Sequence, residues 1–161
     1  MTDITYAGYR PGALGRICEL QSTYYGREWG FGATYETKVA GDMAAFLGRY
    51  DPERDLFLTA LKGDAIEGGI TIDGPNRDGW ARLRWFIVSD AIRGSGVGFE
   101  LMDRAMAFVE DKGYDRVYLT TIDGLEAARR LYERAGFTPS SSETGTTWGP
   151  PVTEQRFELV R

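Results

Sequence analysis

The chain has 161 residues, enough for one domain with its own core, and 42% hydrophobic with 27% charged residues is ordinary for a soluble globular protein. A net charge of -5 and an isoelectric point near 4.9 argue against nucleic acid as the main partner. The one cysteine, Cys18, excludes an internal disulfide and fits a reducing, cytoplasmic setting. No apolar run approaches the ~20 residues of a membrane span, and the first ten residues lack a signal peptide's basic start and apolar core.

The alternation from Ile4 to Arg10 predicts a first strand, ended by Arg10-Pro11-Gly12. Apolar residues at 14, 17, 18, 20, 24 and 25 predict a helix from Ala13 to Tyr25. Glycines at 26, 30 and 32 are expected to break it around Trp29 and Phe31. A second helix, Thr34 to Arg49, places Tyr35, Val39, Met43, Phe46 and Leu47 on one face, and Asp51-Pro52 reads as a turn. Leu56 to Leu61 and Ala65 to Ile72 read as a hairpin around Lys62-Gly63-Asp64, followed by a loop from Gly74 to Gly79.

The most informative stretch is next, Ala81 to Gly98, ARLRWFIVSDAIRGSGVG. Its first half is an apolar, aromatic strand and its second a basic glycine-dense turn. FELMDRAMAFVEDKG then repeats its apolar residues at helical spacing. Arg116 to Thr121 is a further strand, Leu125 to Ala135 a helix, and Thr138 to Arg161 two strands around Trp148-Gly149-Pro150-Pro151. The order β-α-α-β-β-β-α-β-α-β-β is a single mixed α/β domain over residues 1–161.

A strand that runs into a glycine loop opening a helix makes an anion site. Small residues admit a phosphate to the backbone N–H groups, and the first helical turn offers unpaired N–H groups and the positive end of the dipole. The nucleotide-triphosphate loop does not fit, because Phe99 and Glu100 stand where Lys and Ser/Thr are required. The dinucleotide fingerprint does not fit either, because the glycines are spaced G-x-G-x-G and lie past the middle of the chain. The pattern Arg/Gln-x-x-Gly-x-Gly/Ala fits Arg93-Gly94-Ser95-Gly96-Val97-Gly98 at every fixed position. A glycine-rich turn without a ligand is the competing reading of that hexapeptide.

About thirty residues on, AARRLYERAGF (127–137) matches A-x-x-L-Y-E-x-x-G-F at Ala128, Leu131, Tyr132, Glu133, Gly136 and Phe137. With these two motifs, in this order and spacing, the chain resembles the GNAT N-acetyltransferase superfamily over nearly its whole length. Its amino-terminal RPG, its Tyr-Tyr-Gly-x-Glu-Trp-Gly segment, its Arg-Leu-Arg strand and its closing Gln-x-x-Glu-Leu strand resemble the acetyltransferase half of MarR–GNAT fusions, whose MarR part is absent here.

The resemblance implies the GNAT fold, with a central mixed, mostly antiparallel sheet, and acetyl-CoA as co-substrate. It implies that Phe86, Ile87 and Val88 pair their backbone with the pantetheine arm, that Arg93, Gly94, Ser95, Gly96, Val97, Gly98 and Phe99 cradle the pyrophosphate, and that Ala128 lies on the cofactor wall. It implies Tyr132 as general acid, since a phenol near pKa 10 stays protonated at neutral pH and can hand a proton to a thiolate. The expected partner is a small-molecule amine, with neither nucleic acid, membrane nor metal. The family is often dimeric, so a homodimer is possible.

Three departures from the family pattern matter. Leu125 stands where many members have Asn, and Thr120 where some have a Glu base. With no histidine in the chain, the base is a carboxylate acting through water, or solvent, with Glu28 and Glu36 as candidates. Cys18 reads as a small apolar helix residue rather than a nucleophile. Period two puts Arg82 and Arg84 on one face with Phe86 and Val88. A guanidinium in the acceptor pocket would match a carboxylate bidentately, pointing to an acceptor such as an amino acid. Pairing with a structural Asp or Glu is the equal alternative. Tyr24, Tyr25, Trp29 and Phe31 form an aromatic cluster that either shapes the pocket or packs the core. Arg84, Tyr25 and Trp29 are the candidate acceptor contacts. Two other functions stay open: a non-catalytic acyl-CoA-binding sensor or scaffold, and an acetyltransferase of peptide or protein amino termini.

Overall fold

The computed structural model describes residues 3–161. In chain order the elements are β1 (Ile4–Ala7), α1 (Ala13–Trp29), α2 (Ala33–Gly48), β2 (Leu56–Lys62), β3 (Ala65–Asp73), β4 (Ala81–Val88), α3 (Val97–Lys112), β5 (Arg116–Ile122), α4 (Glu126–Ala135), β6 (Thr138–Gly145) and β7 (Val152–Val160). This is the order that the sequence pattern predicts, with two corrections: β1 stops at Ala7 rather than Arg10, and α1 runs through Gly26 and ends only at Gly30. The helix's own hydrogen bonds and its packed face outweigh the modest cost of one internal glycine.

The strands form one sheet in the order β1-β2-β3-β4-β5-β7-β6. Every neighbouring pair is antiparallel except β4 and β5. That parallel pair is brief: Ala81 lies opposite Val117, Arg82 opposite Tyr118, and there the register stops. From Leu83 onward β4 and β5 diverge, and the wedge between them is where the site forms.

The core lies on both faces of the sheet. On one face α3 supplies Leu101, Met102, Ala105 and Val109 and α4 supplies Tyr132, packed against Ile70, Leu83, Leu119 and Phe157. On the other, Ile17 of α1 and Val39, Met43 and Phe46 of α2 cover Phe57, Leu61 and Ile87. Helical and strand periods each present one apolar row, and these rows meet across the sheet.

A bulge interrupts β4. Gly69 faces Ile87 and Thr71 faces Arg84, so two steps along β3 span three along β4. The extra residue is Trp85, whose φ of 50° is left-handed and is costly for a bulky side chain, about 1–3 kcal/mol. The bulge switches faces. Leu83 packs on the α3 side, Trp85 and Ile87 on the α1–α2 side, and Phe86 and Val88 again on the α3 side. Arg84, hydrogen-bonded to Asp42 of α2, therefore does not share a face with Phe86 and Val88, and the period-two expectation is corrected at this point.

Candidate active site

Two cavities meet in the wedge. The larger, about 530 Å³, is bounded by Ile87 and Val88 of β4, the loop from Arg93 to Gly96, the first turn of α3, and Leu125, Ala128 and Leu131 around α4. Beyond Arg82, β4 has no β5 partner, so the edge-facing backbone groups along Leu83–Ile87 are left unpaired by β5 and suit an extended ligand on that edge. The loop ends at Gly96, the N-cap of α3, with φ 83° and no capping side chain. A non-glycine residue would be strained there, and a side-chain cap would occupy the N–H of Gly98 or Phe99, which the first turn leaves free along with that of Val97. A β-carbon on Gly98 would stand 3.3 Å from Leu131 and 3.6 Å from Phe86, narrowing the passage. Such a surface fits an anion at a helix start joined to an extended chain, which is the shape of a pyrophosphate and its pantetheine arm.

Charge agrees with that fit. Arg93, Arg130 and Arg134 all border the cavity. Arg93 donates through Nη2 to the Val88 carbonyl at 3.1 Å and pairs with Asp90 at 3.1 Å. Arg134 lies 3.5 Å over the Phe99 ring and pairs with Asp103. Arg130 has no carboxylate partner among the described residues; no sequence motif singles it out. Ser95 is the exception within the loop. It does not line the cavity, and its hydroxyl turns inward to the Ile92 carbonyl.

The smaller cavity, about 250 Å³, lies on the α1–α2 side. Tyr25, Phe86 and Tyr132 border both cavities, so a ligand in one would meet a ligand in the other at these three rings. Tyr132 is buried, with 6% exposure, and its ring stands edge-on to Phe86 at 6.2 Å. Burial pushes its phenol well above the usual tyrosine value. The Thr121 hydroxyl opposes this weakly, without forming a well-aligned hydrogen bond. Tyr132 is thus held protonated. Burial likewise raises Tyr25, which stacks on Phe31 with ring centres 5.8 Å apart.

Both arginines of the Arg-Leu-Arg strand border the acceptor cavity, in different states. Arg84 Nη2 donates to Asp42 at 3.1 Å, Asp73 stands 4.0 Å from Nη1, and the guanidinium lies over the Trp85 ring at 4.4 Å. Burial and the Arg82 charge lower its pKa. Arg82 donates to the Thr120 hydroxyl at 3.2 Å; it has no carboxylate partner among the described residues, and its Nε is buried without a partner.

The remaining candidates fall outside the cavity walls. Glu28 is exposed at the end of α1, 3.8 Å from Arg27, and lines neither cavity. Glu36 lies in the first turn of α2, also off both walls. Trp29 packs behind the site with Phe31, Ile122 and Val152. Cys18 is buried in the α1–α2 core, where burial raises its thiol. Conversely, Asp42, Trp148 and Glu154 line the acceptor cavity without a motif to announce them. Glu154 arrives from the last strand because β7 pairs with β5, setting it opposite Ile122.

An anion cradle and a second cavity that meet at a protonated phenol suit acyl transfer. The chain matches the sequence model of the acetyltransferase (GNAT) family over residues 14–137, and it belongs to that family. An acetyltransferase of Agrobacterium fabrum, Atu2258, is 33% identical over 126 residues, 74% of this chain and 85% of the relative. An N-acetyltransferase of Staphylococcus aureus Mu50 shares the fold with a TM-score of 0.77 at 13% identity, over 99% of both chains. The Salmonella typhimurium protein yncA, solved with acetyl-CoA, aligns with a TM-score of 0.72 at 16% identity, over 99% of this chain and 94% of its own. The chain is accordingly an acyltransferase of a family that uses acetyl-CoA. Among the described residues no helix is long and apolar enough to cross a membrane.

Proposed function

We propose that this protein transfers acetyl from acetyl-CoA to the amine of a small, carboxylate-bearing acceptor, by direct attack with both substrates bound. The observation that carries the reading is the meeting of two cavities at Tyr25, Phe86 and Tyr132. Each substrate has its own entrance, and the reacting groups are brought together where the cavities join. Tyr132 gives its proton to the departing thiolate. Arg82 supplies the charge that draws a carboxylate, because Arg84 is already compensated by Asp42 and Asp73. The Arg-lined wall favours a small acid over a peptide amino terminus.

Tyr132→Phe tests the reading. Its kcat should fall about 100-fold or more, within the range for removing a general acid, while calorimetry returns the wild-type Kd for acetyl-CoA. Equal turnover would remove Tyr132 from the reaction. Binding of acetyl-CoA without transfer to any amine would favour the sensor function instead. A cytoplasmic setting, consistent with the lone buried thiol of Cys18, and a homodimer, to be read by light scattering, belong to the same proposal.

A further inference from the structure

An acceptor amine enters as an ammonium and must lose a proton before it attacks, yet the chain has no histidine to take it. Two carboxylates line the acceptor cavity, Asp42 and Glu154. Asp42 is committed, with Arg84 on Oδ2 at 3.1 Å and Lys38 on Oδ1 at 3.0 Å. Glu154 has no cationic partner among the described residues. Its Oε1 accepts from the neutral Trp148 indole at 3.1 Å, and its Oε2 has no hydrogen-bond partner there. Trp148 is fixed in turn by Tyr35, edge-on at 5.4 Å.

We propose that Glu154 is the ammonium-docking pole of the acceptor site and the general base of the reaction, with Trp148 as its positioning residue. The inference rests on the proposed acetyl transfer and names the substrate class more closely, a zwitterion. One anion without a cationic partner among the described residues, Glu154, lines the same cavity as one cation without a carboxylate partner there, Arg82. The Arg82 guanidinium is tied to Thr120, and Glu154 stands opposite Ile122, two residues further along β5. Two residues of strand are about 7 Å, which suits an α- or β-amino acid with a hydrogen bond at each end. The titratable and charged groups that line the cavity with Glu154 are the phenols of Tyr25 on α1, Tyr35 on α2 and Tyr132 on α4, Lys38 and Asp42 on α2, and Arg82 and Arg84 on β4, with Glu143 across the β6 register.

The step balances as follows. Glu154 takes one proton from the ammonium, directly or through a water. The neutral amine forms the N–C bond at the acetyl carbonyl carbon, the C–S bond breaks, and Tyr132 protonates the leaving sulfur. The second amine proton restores the phenol, and Glu154 releases the first to solvent. The sum is ammonium plus thioester giving amide, thiol and one proton.

The test is Glu154→Gln in the full chain, assayed with acetyl-CoA and a panel of amino acids from pH 6.5 to 9.5. At pH 7 its kcat/KM should fall about 100-fold. The gap should close to about tenfold by pH 9.5, where free acceptor amine is supplied by solution. Acetyl-CoA affinity should stay at the wild-type value, and Glu154→Asp should recover part of the rate. Trp148→Phe, which removes the indole donor and part of the ring but keeps an aromatic side chain against Tyr35, should lower kcat several-fold with the same pH signature; it carries the test if Glu154→Gln does not fold. Activity within threefold of wild type at pH 7, or a loss equal at every pH, overturns the base. Wild-type silence toward every amine overturns the proposed reaction instead. The docking pole is then judged by calorimetry, where equal amino-acid affinity in Glu154→Gln and wild type overturns it.

Discussion

The two halves of the site are built from different materials. The cofactor half is made mainly of backbone and apolar surface, the unpaired edge of β4, the turn ending at Gly96, and Leu125, Ala128 and Leu131 around α4, with Arg93, Arg130 and Arg134 at its border. The acceptor half is made of charged and phenolic side chains that fix one another, Arg84 on Asp42, Arg82 on Thr120, Trp148 on Glu154. Backbone recognition tolerates side-chain change wherever φ and space allow, whereas a charged cavity changes its ligand with one substitution. One fold can therefore keep its cofactor while its acceptor varies.

The largest effect that separates the halves is expected at Gly96→Val. A β-branched residue at φ 83° is strained by about 1–2 kcal/mol, and its side chain stands in the open space before the helix start, where the anion would sit. Acetyl-CoA should bind at least tenfold more weakly by calorimetry, with a melting temperature lower by about 2–5 °C. An unchanged Kd would mean that the anion sits elsewhere.

The arginine pair gives the next effect, on the other half alone. Arg82→Ala should raise the acceptor KM at least tenfold, since a hydrogen bond to a charged group is worth about 1.5–3 kcal/mol, and leave the acetyl-CoA KM within twofold. Arg84→Ala should move the acceptor KM less, because Asp42 and Asp73 already occupy that guanidinium. The reverse ranking would transfer carboxylate recognition to Arg84.

That contrast also explains what the sequence could show. The cofactor half is legible because its determinants are local: six consecutive residues, Arg93 to Gly98, encode the turn, and α4 brings Tyr132 at fixed spacing. Element order is legible for the same reason, down to the two strands around Trp148. The acceptor half depends on long-range register. Strand periodicity alone puts Arg84 with Phe86, and only the Trp85 bulge parts them. Glu154 sits 22 residues after Tyr132 in a polar tail and gains meaning only through the β5–β7 pairing. Glu28 looks eligible on α1 because nothing local says that its helix end turns to solvent.

An effect on stability alone should appear at alkaline pH. Burial raises the phenols of Tyr25, Tyr35 and Tyr132 above their ordinary value near 10. The unfolded chain therefore ionises these tyrosines first and binds fewer protons than the folded one, so stability falls as pH rises past about 10. Below that pH their contribution is intact. Melting temperature should be flat in this respect to about pH 9.5 and then drop, and Tyr132→Phe should soften the drop. A fall beginning near pH 8 would point to a different group.

The smallest effect is expected at Trp29, the sequence candidate that the fold carries away from the cavity. Its Nε1 is buried without a hydrogen-bond partner, and its ring edge presses on Gly124, where a β-carbon would stand 2.8 Å from it. Trp29→Phe removes the unsatisfied donor, a gain of about 1 kcal/mol, and loses ring volume at a similar cost. These offset, so the melting temperature should move by no more than about 2 °C and both KM values should hold. The pocket would then owe its shape to Tyr25 and Tyr35. A several-fold rise in the acceptor KM with unchanged stability would instead mean that α1 shifts during turnover and brings Trp29 against the acceptor, giving the charged half an aromatic contact that the structure does not display.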